Sequence, residues 1–381
     1  MKISKSYILG LAAIMSLAAS SCSDKDDPGS QSGSGNGVEI GIKTNVTLNT
    51  KTSLIEKLES GHEMNVWLDV TSETGSIVSS EQVKATNNGG TWALSKSVRL
   101  DKGQTADVYA VYPYSENNTN REAVPVNVAD QEDVLYSGSA SYASYTSNVV
   151  TLNMKHALSM IAVNIKKQDY QGNGVISKIK LSEPSLIAQK GTLNVTSGKI
   201  TPTELGDLSV DVNATIGEGG INGVLPGMWV IPFSSKDHSA VKATITIDGK
   251  DYTVDLPEVR MSTGWQYVFH AVITANGLVF VPDATEEHAL NKSDDEMDNL
   301  TGYGMITFTY GGPEFAFPAF TGDNIFGNIK ADDGSRANYK IGGSLKLSSS
   351  ASQKIVVETW NSTGFSLDNI DGIDAIDLSQ Y

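Results

Sequence analysis

The chain has 381 residues, enough for two or three domains with cores of their own. Its formal net charge of −16 repels nucleic acid, and no basic patch with interleaved aromatics offsets that repulsion. A single cysteine excludes an internal disulfide and a cysteine-built metal cluster.

Lys2 and Lys5 form a basic head, and Tyr7 to Ala19 an apolar run too short to span a bilayer as a mature helix. Ala18, Ala19, Ser20 and Ser21 then lead to Cys22, so residues 1–21 read as an export signal outside the fold. The segment resembles a bacterial lipoprotein signal, which implies a cut before Cys22, lipidation of its thiol and an outer-membrane anchor. Residues 22–37 are Gly/Ser-rich and read as a flexible tether. The acids Asp24, Asp26 and Asp27 resemble the tag that sends some lipoproteins to the outer face of the outer membrane.

From Val38 the pattern changes to short alternating runs. Strands are predicted over 38–48, 64–70, 91–94, 97–100, 107–112 and 124–128, with 91–94 and 97–100 paired. The stretch Asn148–Ile165 holds two more. Val150, Leu152 and Met154 share one side of the first, and Ile161, Val163 and Ile165 one side of the second. Between them KHALS alternates poorly and is expected to be a short helical turn. His156, inside it, is expected to pack at a sandwich corner with a backbone hydrogen bond.

Three segments in this order, YAVYPYS (Tyr109–Ser115), QEDVLYSGSAS (Gln131–Ser141) and the Asn148–Ile165 stretch with its K-H-A-L-S, resemble the fimbrillin-like lipoproteins of Gram-negative anaerobes, the subunits of type V pili. The resemblance covers roughly 38–285. It implies an all-β fold of tandem transthyretin-like antiparallel β-sandwiches, over 38–172 and 173–285. It also implies a place in a cell-surface fimbrium.

Beyond residue 172, strands are expected at 175–181 and 191–195, then a Thr/Gly-rich excursion to Gly223. Val224–Phe233 reads as a turn and a buried edge strand between Pro226 and Pro232. Val241–Ile247 and Tyr252–Leu256 form a hairpin across Asp248-Gly249. Gly264–Phe280 is a strand pair turning at Asn276-Gly277. Residues 286–299 are acidic and read as a linker. Residues 300–381 read as an added C-terminal β module with strands at 305–310, 314–320, 338–347 and 354–360.

The tail repeats acids at Asp368, Asp371, Asp374 and Asp377, a period that suits neither strand nor helix. Carboxylates in a row could form a calcium ladder, but Asp368, Asp371 and Gly372 do not match the spacing of a helix-loop calcium site, and an irregular closing strand with solvated acids is expected. Tyr339, Phe320 and Trp360 are expected in the core rather than stacked on a sugar. The histidines His62, His156, His238, His270 and His288 show no metal-ligand spacing. No catalytic residue, cofactor or metal is therefore expected, and the one modified residue is Cys22.

The expected function is a surface-anchored pilus subunit, at tip, anchor or accessory position, acting in adhesion. The resemblance implies assembly with other pilus subunits by strand exchange: an N-terminal strand, here 38–48, is cut away and a neighbour's strand fills its groove. Family subunits are often cut at an arginine there, yet the first arginine of this chain is Arg99, leaving Lys43 and Lys51 as the basic candidates. The alternative is a non-polymerising surface lipoprotein that binds a glycan through residues 300–381; a host or bacterial surface glycan or protein is a further expected partner.

Overall fold

The computed structural model describes residues 37–46, 57–236, 238, 240–289, 303–323 and 325–381. The fold is all-β, as expected: among the described residues strands group around three main hydrophobic cores, with one short 3-10 turn at Val128–Asp130.

The first group holds β1 (Val38–Glu39), β2 (Gly41–Val46), β3 (Glu63–Thr71), β4 (Ile77–Asn87), β5 (Trp92–Leu94), β6 (Arg99–Leu100), β7 (Thr105–Tyr112), β9 (Leu135–Tyr136), β10 (Ser141–Ser144) and β11 (Val149–His156). The strand between β7 and β9, β8 (Val124–Asn127), joins the second group. The main sheet runs β10-β7-β3-β4-β5-β2-β11-β9, and β9 also pairs with β7, so the sheet closes on itself. β6 pairs with β1 and β5 with β4 and β2, which corrects the expected pairing of 91–94 with 97–100. β4 was not anticipated. Its sequence IVSSEQVKATN buries side chains only from Val83 onward, and Ile77 is 65% exposed, so the strand signal is weak over half its length.

The second group holds β12 (Ser159–Lys167), β13 (Val175–Ser182), β14 (Ala188–Leu193), β15 (Ile200–Leu205), β16 (Leu208–Gly217), β17 (Gly220–Ile221), β18 (Gly227–Val230), β19 (Lys242–Ile247), β20 (Lys250–Asp255), β21 (Trp265–Ile273) and β22 (Leu278–Ala289). They form sheets β18-β12-β21-β22, β17-β16-β13-β19-β20 and β15-β14-β8 around one core. KHALS is not helical. Lys155 and His156 end β11, Ser159 begins β12, and the chain passes between two sheets at Ala157–Leu158, ahead of residue 172. The expected Thr/Gly excursion is also ordered: Leu208, Val210, Val212, Ala214 and Ile216 alternate along β16. The 19–20 hairpin forms as read, with Asp248 and Gly249 both at positive φ (50° and 75°), the geometry of a two-residue primed turn. β18 is the buried edge strand anticipated between Pro226 and Pro232. β22 runs to Ala289, so the first residues of the expected linker are strand. The first and second groups each contain one parallel ladder, β2 with β11 and β12 with β21, within otherwise antiparallel sheets.

The third group holds β23 (Gly304–Tyr310), β24 (Glu314–Ala316), β25 (Ala319–Thr321), β26 (Phe326–Ala331), β27 (Arg336–Asn338), β28 (Ser344–Lys346), β29 (Gln353–Trp360), β30 (Gly364–Ser366) and β31 (Ile373–Gln380). Its main sheet runs β27-β26-β29-β23-β31, with β24-β28 and β25-β30 as separate pairs over an aromatic-rich core.

Candidate functional site

The region β1–β2 is where sequence reasoning placed the chemistry of assembly. The chain from Val38 to Val46 alternates, so Val38, Ile40, Ile42 and Val46 turn to the first core while Glu39, Lys43 and Asn45 face solvent. Ile40 and Ile42 are fully buried. Along one edge β2 pairs with β11 over six residues, Gly41–Val46 against Val149–Met154. Along the other its ladder with β5 is a single pair, Ile42 with Trp92, supported by the Trp92 indole N–H donating to Thr44 Oγ1 at 3.0 Å. The Ile40 amide donates to the Val98 carbonyl (2.9 Å) and the Gly41 amide to that of Asn148 (2.9 Å). Without β1–β2 the sheet would keep a slot between β5 and β11, floored by Trp92, Val150, Leu152 and Met154, side chains buried in the same core. Burying Ile40 and Ile42 stabilises the strand by roughly 3–6 kcal/mol together, as an upper estimate.

The three motifs behind the family resemblance meet beside this slot. YAVYPYS supplies the end of β7, QEDVLYSGSAS supplies β9, and the lysine and histidine of KHALS end β11. β9 lies between the other two: Tyr136 pairs with Val111 and Lys155, and Leu135 with Tyr112 and His156. These widely separated segments meet because together they close the first sheet.

A model of the fimbrillin-like family matches residues 44–286. The chain belongs to the fimbrillin-like family. Solved structures to which this fimbrillin-like chain is similar include a candidate cell adhesion protein from Bacteroides uniformis (15% identity, 67% of this chain and 98% of that one, TM-score 0.49). Another is a candidate cell adhesion protein from Bacteroides ovatus (16% identity, 68% and 99% covered, TM-score 0.49). A third is a fimbrial protein from Bacteroides vulgatus (13% identity, 66% and 99% covered, TM-score 0.43). No curated protein matches.

The other candidates in this fimbrillin-like chain fall into place as structure. Buried His156 bonds the carboxylate of buried Asp133, with Nδ1 2.8 Å from Oδ2 and 3.1 Å from Oδ1, rather than the backbone as expected. Its ring stacks on Trp229 of β18 at 6.2 Å, so the pair pins the passage from the first group to the second. Among the described residues no cluster of three or more His, Cys, Asp or Glu is placed to hold a metal. Phe320, Tyr339 and Trp360 are buried, as expected. Three of the tail's four aspartates are separately engaged: Asp368 accepts from the Ser366 hydroxyl (2.7 Å), Asp374 from that of Ser352 (2.7 Å), and Asp377 from the Ser379 amide (2.9 Å). The tail's odd period has a local cause, since β31 pairs with β23 through two register shifts. Cys22 and Lys51 lie outside the described residues.

Sequence reasoning missed one site, the face that docks residues 303–381 on the second group. Val272 of β21 and Val279 of β22 pack against Phe326 and Trp360, whose rings stack at 5.1 Å and 4°. Beside them buried Glu358 accepts from Thr274 Oγ1 (2.9 Å), Asn276 Nδ2 (3.0 Å), Tyr303 OH (3.2 Å) and Asn328 Nδ2 (3.3 Å). Burial, with the charge of Glu358 alongside, pushes the Tyr303 phenol well above its ordinary pKa. A faint signal existed, because an acid inside the run KIVVETW is unusual in a strand that is apolar on both sides of it.

Proposed function

We propose that this chain is a subunit of a cell-surface fimbrium that acts in adhesion, lipidated at Cys22, held at the outer membrane by the tether 22–37, and assembled by strand exchange at the β1–β2 slot. The observation that carries the reading is the seating of β2. It is an N-terminal strand lying inside a sheet, held by one long parallel ladder and by interchangeable aliphatic side chains. Backbone pairing and alternate apolar residues are features any suitable strand can supply, so a neighbour's segment can replace it. The role is mechanical and draws on no catalytic group. The expected partition into sandwiches 38–172 and 173–285 followed by the module 300–381 belongs to this reading, with the first boundary drawn back to Ala157–Leu158, where the chain enters the second core, and with the module placing the subunit at a tip, anchor or accessory position.

N-terminal sequencing of the protein recovered from cell surfaces tests it. A lipid-blocked start at Cys22 identifies an anchored subunit that keeps β2. A start beyond about Leu48, with the protein in high-mass fibres, identifies an opened slot. A free, unlipidated start before Val38 on a monomer would sink both the anchor and the assembly.

A further inference from the structure

A second place for an added strand lies between the second group and the C-terminal module. Two cavities of about 170 and 680 Å³ adjoin there, sharing Thr253, Val254, Arg336, Ala337 and Asn338 as lining. The floor is the start of β22, from Leu278 to Phe280. One wall is β20 and the other is β27, each the last strand of its sheet and hydrogen-bonded on one side only. Lys250 to Asp255 line the cleft without a break, and so do Arg336 to Lys340. A side-chain face would contribute every second residue, so what borders the space is main chain. The walls are fixed: Arg336 donates to the Asn276 carbonyl, and Asn338 Nδ2 donates to the Leu278 carbonyl (3.3 Å) and to Asn328 Oδ1 (3.2 Å).

The charge at this cleft departs from the rest of the surface. On neighbouring strands lysines pair with acids, as in Lys180–Asp207 (2.6 Å), Lys190–Glu204 (2.7 Å) and Lys178–Asp211 (3.6 Å). Around the cleft Lys250, Arg336 and Lys340 have no carboxylate partner among the described residues. Lys250 sits over the Tyr252 ring at 4.9 Å, and the bond of Arg336 goes to a neutral carbonyl. Of the acids in the lining, Asp255 pairs with Lys242, which leaves Glu258 and Asp251, the latter accepting from the Thr246 hydroxyl (2.6 Å) and still charged, against three cations. In a chain of net charge −16 that is a local reversal of sign.

We propose that this cleft receives an extended acidic segment of another polypeptide, added as a strand between β20 and β27. Its main chain would complete the two open edges, and its carboxylates would meet Lys250, Arg336 and Lys340. The site is separate from the β2 slot and requires no cleavage, so it stands whether or not strand exchange occurs.

The test uses the full chain and a fluorescein-labelled octapeptide of alternating valine and aspartate, read by anisotropy. Saturable binding is expected, weakened about tenfold or more by the pair Lys250→Glu and Lys340→Glu, and weakened again as salt rises from about 0.05 to 0.5 M. The same peptide N-methylated at every amide should not bind, because it then has no N–H to donate to either edge. Circular dichroism and melting temperature verify that the charge-reversed chain is folded. The proposal is overturned by absence of saturable binding, by undiminished binding to the folded charge-reversed chain, or by equal binding of the N-methylated peptide. The last outcome would mean that charge alone is read, as for a polyanionic glycan.

Discussion

The slot that holds β2 and the face that holds the C-terminal module each join one segment to an otherwise complete sheet, by different means. β2 offers backbone in register with β11 and a row of aliphatic side chains, with Ile42 and Ile40 at its centre. The module offers a large aromatic, Trp360, and one carboxylate, Glu358, placed to receive donors from Thr274, Asn276, Tyr303 and Asn328. Backbone and aliphatic rows are generic, so such a joint can be emptied and refilled by another chain. A buried acceptor matched to particular donors is specific, because any other occupant leaves those donors unsatisfied.

The contrast breaks most readily at Trp360. It is 0% exposed and stacked on Phe326, so Trp360→Ala should cost about 3–5 kcal/mol, read as a lowered urea midpoint. Amide exchange in β2 should stay unchanged. Equal loss of protection at both joints would show that they are one cooperative unit. Next is Glu358→Ala, which strands its buried donors and should cost about 3 kcal/mol, with Glu358→Gln costing clearly less because one acceptor survives. A loss under about 1 kcal/mol for the alanine variant would remove the polar half of the contrast.

How far each joint could be read from sequence follows the same division. β2, β11 and the β19–β20 hairpin announce themselves, because alternation and an Asp-Gly turn are local signals. β4 was invisible because its N-terminal half is solvated on both faces, and β16 was overlooked although L-x-V-x-V-x-A-x-I alternates along it. The Glu358 cluster left only the acid inside KIVVETW as a local sign, and its partners none. Its partners come from residues 274, 276, 303 and 328, and nothing local marks a Thr or Asn as a donor to a distant acid. β12 and β21 gave a hybrid case. Their runs are buried almost throughout, since one face meets the second core while Ala162, Val268 and Val272 on the other meet Leu225 and the module. The covering elements had to be seen before the pattern made sense.

At the slot, Ile42→Ala should cost about 2 kcal/mol, the low end for such a truncation, because the strand has neighbours that can close in. Exchange of the β2 amides should rise more than that of β3. Lys43→Ala, on the exposed face of the same strand, should stay within about 0.5 kcal/mol. If the two substitutions were equivalent, β2 would be held by backbone alone.

Asp333 gives the smallest effect and the sharpest control, since it repeats the Glu358 device at the surface. Its carboxylate accepts from the amides of Ser335 (2.9 Å), Ser348 (2.6 Å) and Ser349 (3.0 Å) and from Gln353 Nε2 (3.3 Å). These donors, the Ser335 amide first, favour the charged form and hold the carboxyl at about 2, below the ordinary 3.8. A depressed folded value means that the carboxylate's contribution is complete above the ordinary value and is lost as pH falls from 3.8 through 2. The Ser348 and Ser349 amide resonances, followed by NMR, should therefore titrate with a midpoint near 2, and Asp333→Asn should abolish that step. A midpoint at the ordinary aspartate value would mean that the amides do not hold the carboxylate. The difference between the two joints would then rest on burial and not on the matching of acceptor to donors, because the same matching would have failed where water can compete.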